Sequence, residues 1–258
     1  MIVFLHIPKT GGSSFHFIIG NNFGISACGT NHAKKDVFTR SDLEFARKIH
    51  PRLQCIAGHN LVQPLSLCVP NPCYWTFVRE PVARVISHYQ MTVHDDKNRM
   101  SFEESLQKND MLQNLQVKLM AGEPDLDKAK RFLEKCSFVG VTEQFDLSLH
   151  VLDRLGPRKW NLNYVRRRVS KDNSIKKSLL ADNRLMDLAC DNNKLDLELY
   201  RFAVEEVFPR LCAKVGLSPS DKVASYDNYQ TEKHFRYWMH DFYGRVVYRQ
   251  LCKLRRRE

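Results

Sequence analysis

Three groups of residues in this chain have types and spacings that could do chemistry, and each follows an apolar run. The first is Lys9-Thr10-Gly11-Gly12-Ser13-Ser14. Gly11 and Gly12 let a backbone come close to an anion, and Ser13 and Ser14 are residues that cap helices. An anion in such a turn would meet backbone N–H groups, the hydroxyls of Thr10, Ser13 and Ser14, the positive end of a helix dipole and the Lys9 ammonium. The second group is Gly58-His59-Asn60; the third is Arg79 with Ser87 eight residues later. Arginine offers phosphate oxygens a fork of donors and serine adds a hydroxyl, so this pair could read one phosphate group. A histidine can carry a proton near neutral pH, although by spacing alone a lone histidine reads as structural.

Strands must end just before these groups to position them. Ile2, Val3, Phe4 and Leu5 form a β-rich run of the buried parallel kind, ended by Pro8, and Phe15, Ile18 and Ile19 give the segment after the glycines a helical apolar face. Residues 53–57 read as a second buried strand and 73–78 as a third. Pro81 suits the first turn of a helix whose apolar positions are Val82, Val85, Ile86 and Tyr89. Residues 138–141 read as a fourth strand, leading through Thr142-Glu143 into a helix with Phe145, Leu149 and Leu152. Between these, 24–36 reads as a polar loop over the site, 40–50 as a helix, and Ser101 with Glu104 as a capping box. From Asp182 the chain turns helical, and a packing helix over 192–208 should end before Pro209. Strands that deliver functional residues at their ends make an α/β sheet with its ligand crevice along one edge.

The order of residues in the first group is informative. In the phosphate loop of nucleoside triphosphatases the lysine follows the glycines, with Ser or Thr next to it for magnesium; here Lys9 precedes Gly11 and Gly12. In this order PKTGGSS resembles the 5′-phosphosulfate loop of sulfotransferases, and REPVARVISHY, residues 79–89, resembles their 3′-phosphate motif. The resemblance is to the carbohydrate O-sulfotransferase branch that includes heparan sulfate 2-O-sulfotransferase, and it covers residues 2–208. Glu80 stands where that family usually has Asp.

The resemblance implies a P-loop-like α/β fold with a central parallel sheet flanked by helices. It implies 3′-phosphoadenosine 5′-phosphosulfate (PAPS) as co-substrate, its desulfated product PAP, and no metal. Lys9, Thr10, Gly11, Gly12, Ser13 and Ser14 would hold the 5′ side, and Arg79 and Ser87 the 3′-phosphate. His59 would be the general base, because relatives carry Gly-His between the two motifs, and Lys9 would stabilise the leaving oxygen. The expected reaction is in-line transfer of the sulfuryl group to a hydroxyl, with a carbohydrate as the implied acceptor. NLQVKLMAG, residues 114–122, resembles an acceptor-side segment, and the turn ending at Glu143 one close to the donor. Residues 161–172 resemble a basic loop that closes over the nucleotide. That makes Arg166, Arg167 and Lys171 further donor contacts, with a solvated charge run as the standing alternative. Arg84 reads as a partner in a structural ion pair. Two competing functions are a small-molecule kinase, which the order of Lys9 and the glycines disfavours, and a non-catalytic polyanion-binding module.

Composition bounds these readings. The length of 258 residues suits one domain, a core over about 2–208 with a C-terminal helical extension over about 209–258. No apolar run reaches transmembrane length. The N-terminal run is short for a signal peptide and has no basic leader, so the expected compartment is the cytoplasm, or the Golgi lumen if the chain is a trimmed piece of a membrane-anchored enzyme. A net charge of +11 favours polyanionic partners; a nucleic acid is not among those expected. The basic tail Lys253, Arg255, Arg256 and Arg257 reads as a solvated helix end, with contact to a membrane or acidic polymer as the alternative. The eight cysteines include no Cys-x-x-Cys pair. Cys28 with His32 and Cys55 with His59 have zinc-ligand spacing, but Cys55 sits in an apolar run where a buried thiol is the simpler reading. Cys68 and Cys73 could form a bridge in an oxidising compartment, but reduced thiols are the default in a cytoplasmic chain.

Overall fold

The computed structural model describes residues 1–33, 35–95, 100–156, 159–165, 173–227 and 235–256. Its centre is a parallel sheet of five strands: β1 (Ile2–Leu5), β2 (Ala27–Gly29), β3 (Cys55–Gly58), β4 (Cys73–Val78) and β5 (Cys136–Val141), in spatial order β2-β3-β1-β4-β5. The connecting helices are α1 (Gly12–Phe23), α2 (Arg40–Ile49), α3 (Pro81–His94), α4 (Phe102–Lys108), α5 (Leu115–Ala121), α6 (Leu126–Lys135) and α7 (Phe145–Leu155). After the sheet come α8 (Ser174–Leu180), α9 (Asn183–Asp191), α10 (Lys194–Phe202), α11 (Phe208–Lys214), α12 (Phe235–Phe242) and α13 (Arg249–Arg255). Among the described residues no helix is long and apolar enough to cross a membrane.

β1 shows why a short apolar run becomes the central strand. Side chains alternate between faces, so Val3 and Leu5 enter one apolar core with Ile56, Val139 and Phe132, while Phe4 enters the other with Phe15, Phe77 and Phe138. A strand covered on both faces must be apolar throughout, as this one is. The same alternation parts Cys28 from Cys55, which lie in different cores, so the two Cys-x-x-x-His spacings do not converge on one metal.

Several expectations are corrected by tertiary contacts. Residues 24–36 are not simply a loop: Ala27–Gly29 is the edge strand β2, paired Ala27 to Cys55 and Gly29 to Ala57. Three small residues carry little intrinsic strand signal, and the partner strand supplies the order. Pro209 does not stop its helix. The five residues Ala203–Val207 widen into a π turn that joins α10 to α11, and Pro209 sits near the start of α11, where its missing N–H is tolerated.

The C-terminal extension docks on the core. The Tyr237 ring lies 4.8 Å from that of Phe17 on α1, Tyr243 O–H donates to Ile49 O at 2.5 Å, and Arg255 bonds Asp42 at 3.3 Å. Tyr248 is fully buried. Gly20 on α1 is what lets α12 approach, since a Cβ there would lie 2.6 Å from the Tyr237 ring.

Buried and half-buried histidines line this junction and the neighbouring core, and they make the fold sensitive to acid. Burial pushes His16 down to about 3 and His50 to about 4, and lowers His32 and His240 as well; nearby histidines add to the effect at His16, His32 and His50. Their folded values lie below the unfolded value of 6.5, so the unfolded chain takes up protons first. The stability these groups contribute is complete above pH 6.5 and falls as pH drops toward 4. His16 and His50 should each remove up to about 1.4 kcal/mol per pH unit in that window. Urea midpoints at pH 7.5, 6 and 5 should therefore decline progressively, and a midpoint constant over that range would contradict the assignment.

Candidate active site

Strand register brings the functional residues together. Leu5 pairs with Gly58 on adjacent parallel strands, so the next residues, His6 and His59, leave the sheet side by side. Their rings lie 3.9 Å apart between centroids. On the other side Val78 pairs with Val141, so Arg79 also emerges beside Thr142 and Glu143. All of these line a cleft of about 590 Å³ at the C-terminal edge of the sheet, together with Lys9, Gly11, Gly12, Ser13, Ser14 and Ser87.

The loop after β1 has an unusual backbone. Lys9 holds φ 70° and Gly11 φ 78°. Left-handed backbone is uncommon outside glycine, and here Arg79 helps to hold it, Nη1 donating to Lys9 O at 2.9 Å. Gly11 lies at the N-cap of α1, no side chain caps the helix there, and Gly12, Ser13 and Ser14 of its first turn line the cleft. Thr10 departs from the expectation. It is fully buried and its hydroxyl donates to Ile7 O at 2.9 Å, so the side chain fixes the turn and does not line the cleft.

Gly12 is required for a different reason. A Cβ at this position would fall 1.8 Å from the His6 ring, so no larger residue fits while His6 keeps its place against His59. A Gly12→Ala variant is expected to fold but to displace His6, lowering turnover at least about tenfold through misplacement of the neighbouring groups. Steady-state rates on folded, purified variant would check this, and wild-type turnover would show that the His6–His59 stack is dispensable.

His59 is held at both backbone and ring. Its N–H donates to Asn31 Oδ1 at 2.9 Å, and its Nδ1 lies 2.6 Å from His6 O. A carbonyl only accepts, so Nδ1 carries the proton and Nε2 is the basic nitrogen of neutral His59. Gly58 admits Thr30 next to the strand, since a Cβ there would meet Thr30 Oγ1 at 2.0 Å, and Thr30 is hydrogen-bonded to Asn60.

Arg79 is gripped by the chain behind it. Its backbone N–H donates to Gln116 Oε1 at 3.0 Å and its carbonyl accepts from Gln116 Nε2 at 2.9 Å. Gln116 N–H and Val117 N–H donate to the buried Asp196 carboxylate at 3.0 and 2.8 Å. The segment 114–122 therefore supports Arg79 from inside the core; none of its residues lines the cleft. Likewise the helix carrying Asp196 does more than pack. The Arg79 guanidinium is lowered by burial, an effect that Glu143 and Glu80 oppose. Glu143 lies 3.9 Å from Arg79 and is fixed by donors from Glu80 N–H and Tyr200 O–H.

Glu80 caps α3, its carboxylate accepting from Val82 N–H and Ala83 N–H. Arg84 does not form the ion pair expected of it. It is fully buried, its guanidinium nitrogens have no hydrogen-bond partner among the described residues, and burial pushes it down to about 10 despite the favourable field of Asp196. Four residues on from Arg84, His88 is pushed to about 4, first by burial and then by Arg84, Lys9 and His59.

Arg166, Arg167 and Lys171 lie outside the described residues. Cleft residues not found from sequence include His6, Asp146, Tyr164 and Lys176. His6 had a signal, since it is the first residue after β1. Tyr164 and Asp146, joined by a 3.2 Å hydrogen bond, had none.

No family model and no curated protein matches the sequence. Among solved structures, the chain is similar to a sulfotransferase from Alicyclobacillus acidocaldarius, with 15% identity, 78% of this chain and 98% of that one covered, and a TM-score of 0.43. The α/β fold stands on the sheet topology described above.

Proposed function

We propose that this chain is a PAPS-dependent O-sulfotransferase acting on a hydroxyl of a carbohydrate. One observation supports it above others: the loop with lysine ahead of its glycines, the Arg79–Ser87 pair and His59 all open into one cleft. On this reading Lys9, the N–H groups at the start of α1 and the hydroxyls of Ser13 and Ser14 hold the 5′-phosphosulfate. Arg79 and Ser87 hold the 3′-phosphate.

The proton inventory suits such a transfer. His59 Nε2 takes the proton of the acceptor hydroxyl as its oxygen bonds to sulfur, and the bond from sulfur to the 5′-phosphate oxygen breaks, releasing PAP. The His6 carbonyl keeps the Nδ1 proton in place and so fixes which nitrogen acts as base. Lys9 and the loop N–H groups stabilise the charge that grows on the leaving oxygen.

The test is direct. Purified chain is incubated with PAPS carrying radiolabelled sulfate, and with polysaccharide, simple sugar or phenol as acceptor, while a parallel series offers ATP and magnesium. Label on the polysaccharide with matching PAP release is expected. Transfer from ATP alone would replace this reading with a kinase, and label on the phenol alone would correct the acceptor class.

A further inference from the structure

The outer face of the C-terminal helices carries an apolar ridge that the proposed chemistry does not use. Phe235 is 70% exposed, Trp238 55%, Phe242 45% and Val246 48%. They recur every three or four residues, whereas the face turned to the core carries His240, Gly244, Tyr248 and Cys252. Large apolar side chains gathered on one exposed stripe mark an interaction surface.

The ridge is set among positive charge. Residues 235–256 contain six basic side chains, Arg236, Arg245, Arg249, Lys253, Arg255 and Arg256, against the single acid Asp241. Asp241 is matched by Arg245 at 2.9 Å, and Arg255 turns inward to Asp42. Arg236, Lys253 and Arg256 are exposed beside or beyond the ridge.

We infer that the face bearing Phe235, Trp238, Phe242 and Val246 docks on an anionic lipid surface, lying in the interface with its aromatic residues inserted and its basic residues against headgroups. Charge complementarity selects this occupant. Two copies of a chain of net charge +11 would bring like-charged faces together, which opposes pairing through the ridge. An acidic glycan would satisfy the charge but not the rings. Trp238 and Phe242 stack on each other at 5.3 Å with planes 16° apart, and Phe235 stacks on Trp238 at 6.1 Å, so ring faces that a sugar would need are turned toward neighbouring rings. Phe235, Trp238, Phe242 and Val246 remain exposed together, a strip that an apolar acyl region would cover.

Sedimentation of the full chain with vesicles tests the inference. Vesicles of phosphatidylcholine containing phosphatidylserine should bring the chain down, and vesicles of phosphatidylcholine alone much less. The combined variant Phe235→Ser, Trp238→Ser, Phe242→Ser should reduce partition by more than about tenfold. Because these side chains are exposed, its circular dichroism and Tm should match wild type. Lys253→Gln with Arg256→Gln should weaken the preference for phosphatidylserine while sparing the fold. The proposal is overturned if the chain ignores phosphatidylserine vesicles, or if the folded ridge variant binds them as wild type does. It is equally overturned if the ridge variant instead abolishes a dimer, or binding to a soluble acidic glycan, in a chain that does not bind vesicles.

Discussion

A His59→Ala variant should lose about 10²–10⁴-fold in kcat while its affinity for PAP stays within a factor of about two. The expectation follows from how the ring is held. His6 O fixes the Nδ1 proton and the paired ends of β1 and β3 fix the ring position, which leaves Nε2 as the basic nitrogen of a ring that lines the cleft. PAP carries no group that needs a base, which is why binding should be spared. A His59→Gln variant keeps a side chain of similar reach without a basic nitrogen and should be nearly as slow. Rates are measured at saturating donor, and PAP affinity by calorimetry. Wild-type turnover in either variant would remove His59 from the mechanism.

Losing Arg79 should act on donor binding. The Arg79→Ala variant is expected to weaken PAP by about 10–150-fold, the range for a hydrogen bond to a charged group. It should also bind nucleotides with and without a 3′-phosphate equally. Part of the loss is indirect, because Arg79 Nη1 also holds Lys9 O in the left-handed loop. Arg79→Lys separates the two contributions: it keeps the charge but lacks the fork that could hold Lys9 O and a phosphate together, so it should recover only part of the affinity. If Arg79→Ala kept a preference for the 3′-phosphate, the site for that group would lie elsewhere.

Sequence carried the central part of this architecture for a physical reason. β1, β3, β4 and β5 are buried and apolar, and each ends on a residue whose chemistry differs sharply from the strand, so both strand and site could be read from one pattern. The caps were equally local, with Ser101 and Glu104 forming their reciprocal pair as expected. Features made by long-range contact could not be read this way. β2 exists because β3 lies beside it, and Gln116 faces Arg79 because Asp196, eighty residues on, holds the start of α5. Thr10 has the right residue type for an anion site, but the tightness of the turn sends its hydroxyl to Ile7 O. His6 is marked in sequence only as the residue after β1, and its meaning comes from register, which places it against His59.

The central claim, that this cleft takes a nucleotide bearing both 5′ and 3′ anionic groups, is tested most directly by thermal unfolding with PAP, ADP, or ATP, each with and without magnesium. PAP at about a hundred times its Kd should stabilise the chain by about 2.7 kcal/mol, raising Tm by about 5–10 °C. That rise should not need magnesium and, at the same PAP concentration, should shrink to about 0.3–1.4 kcal/mol in Arg79→Ala. An unchanged Tm with PAP, alongside a clear rise with ATP and magnesium, would contradict the account and assign the loop to a nucleoside triphosphate.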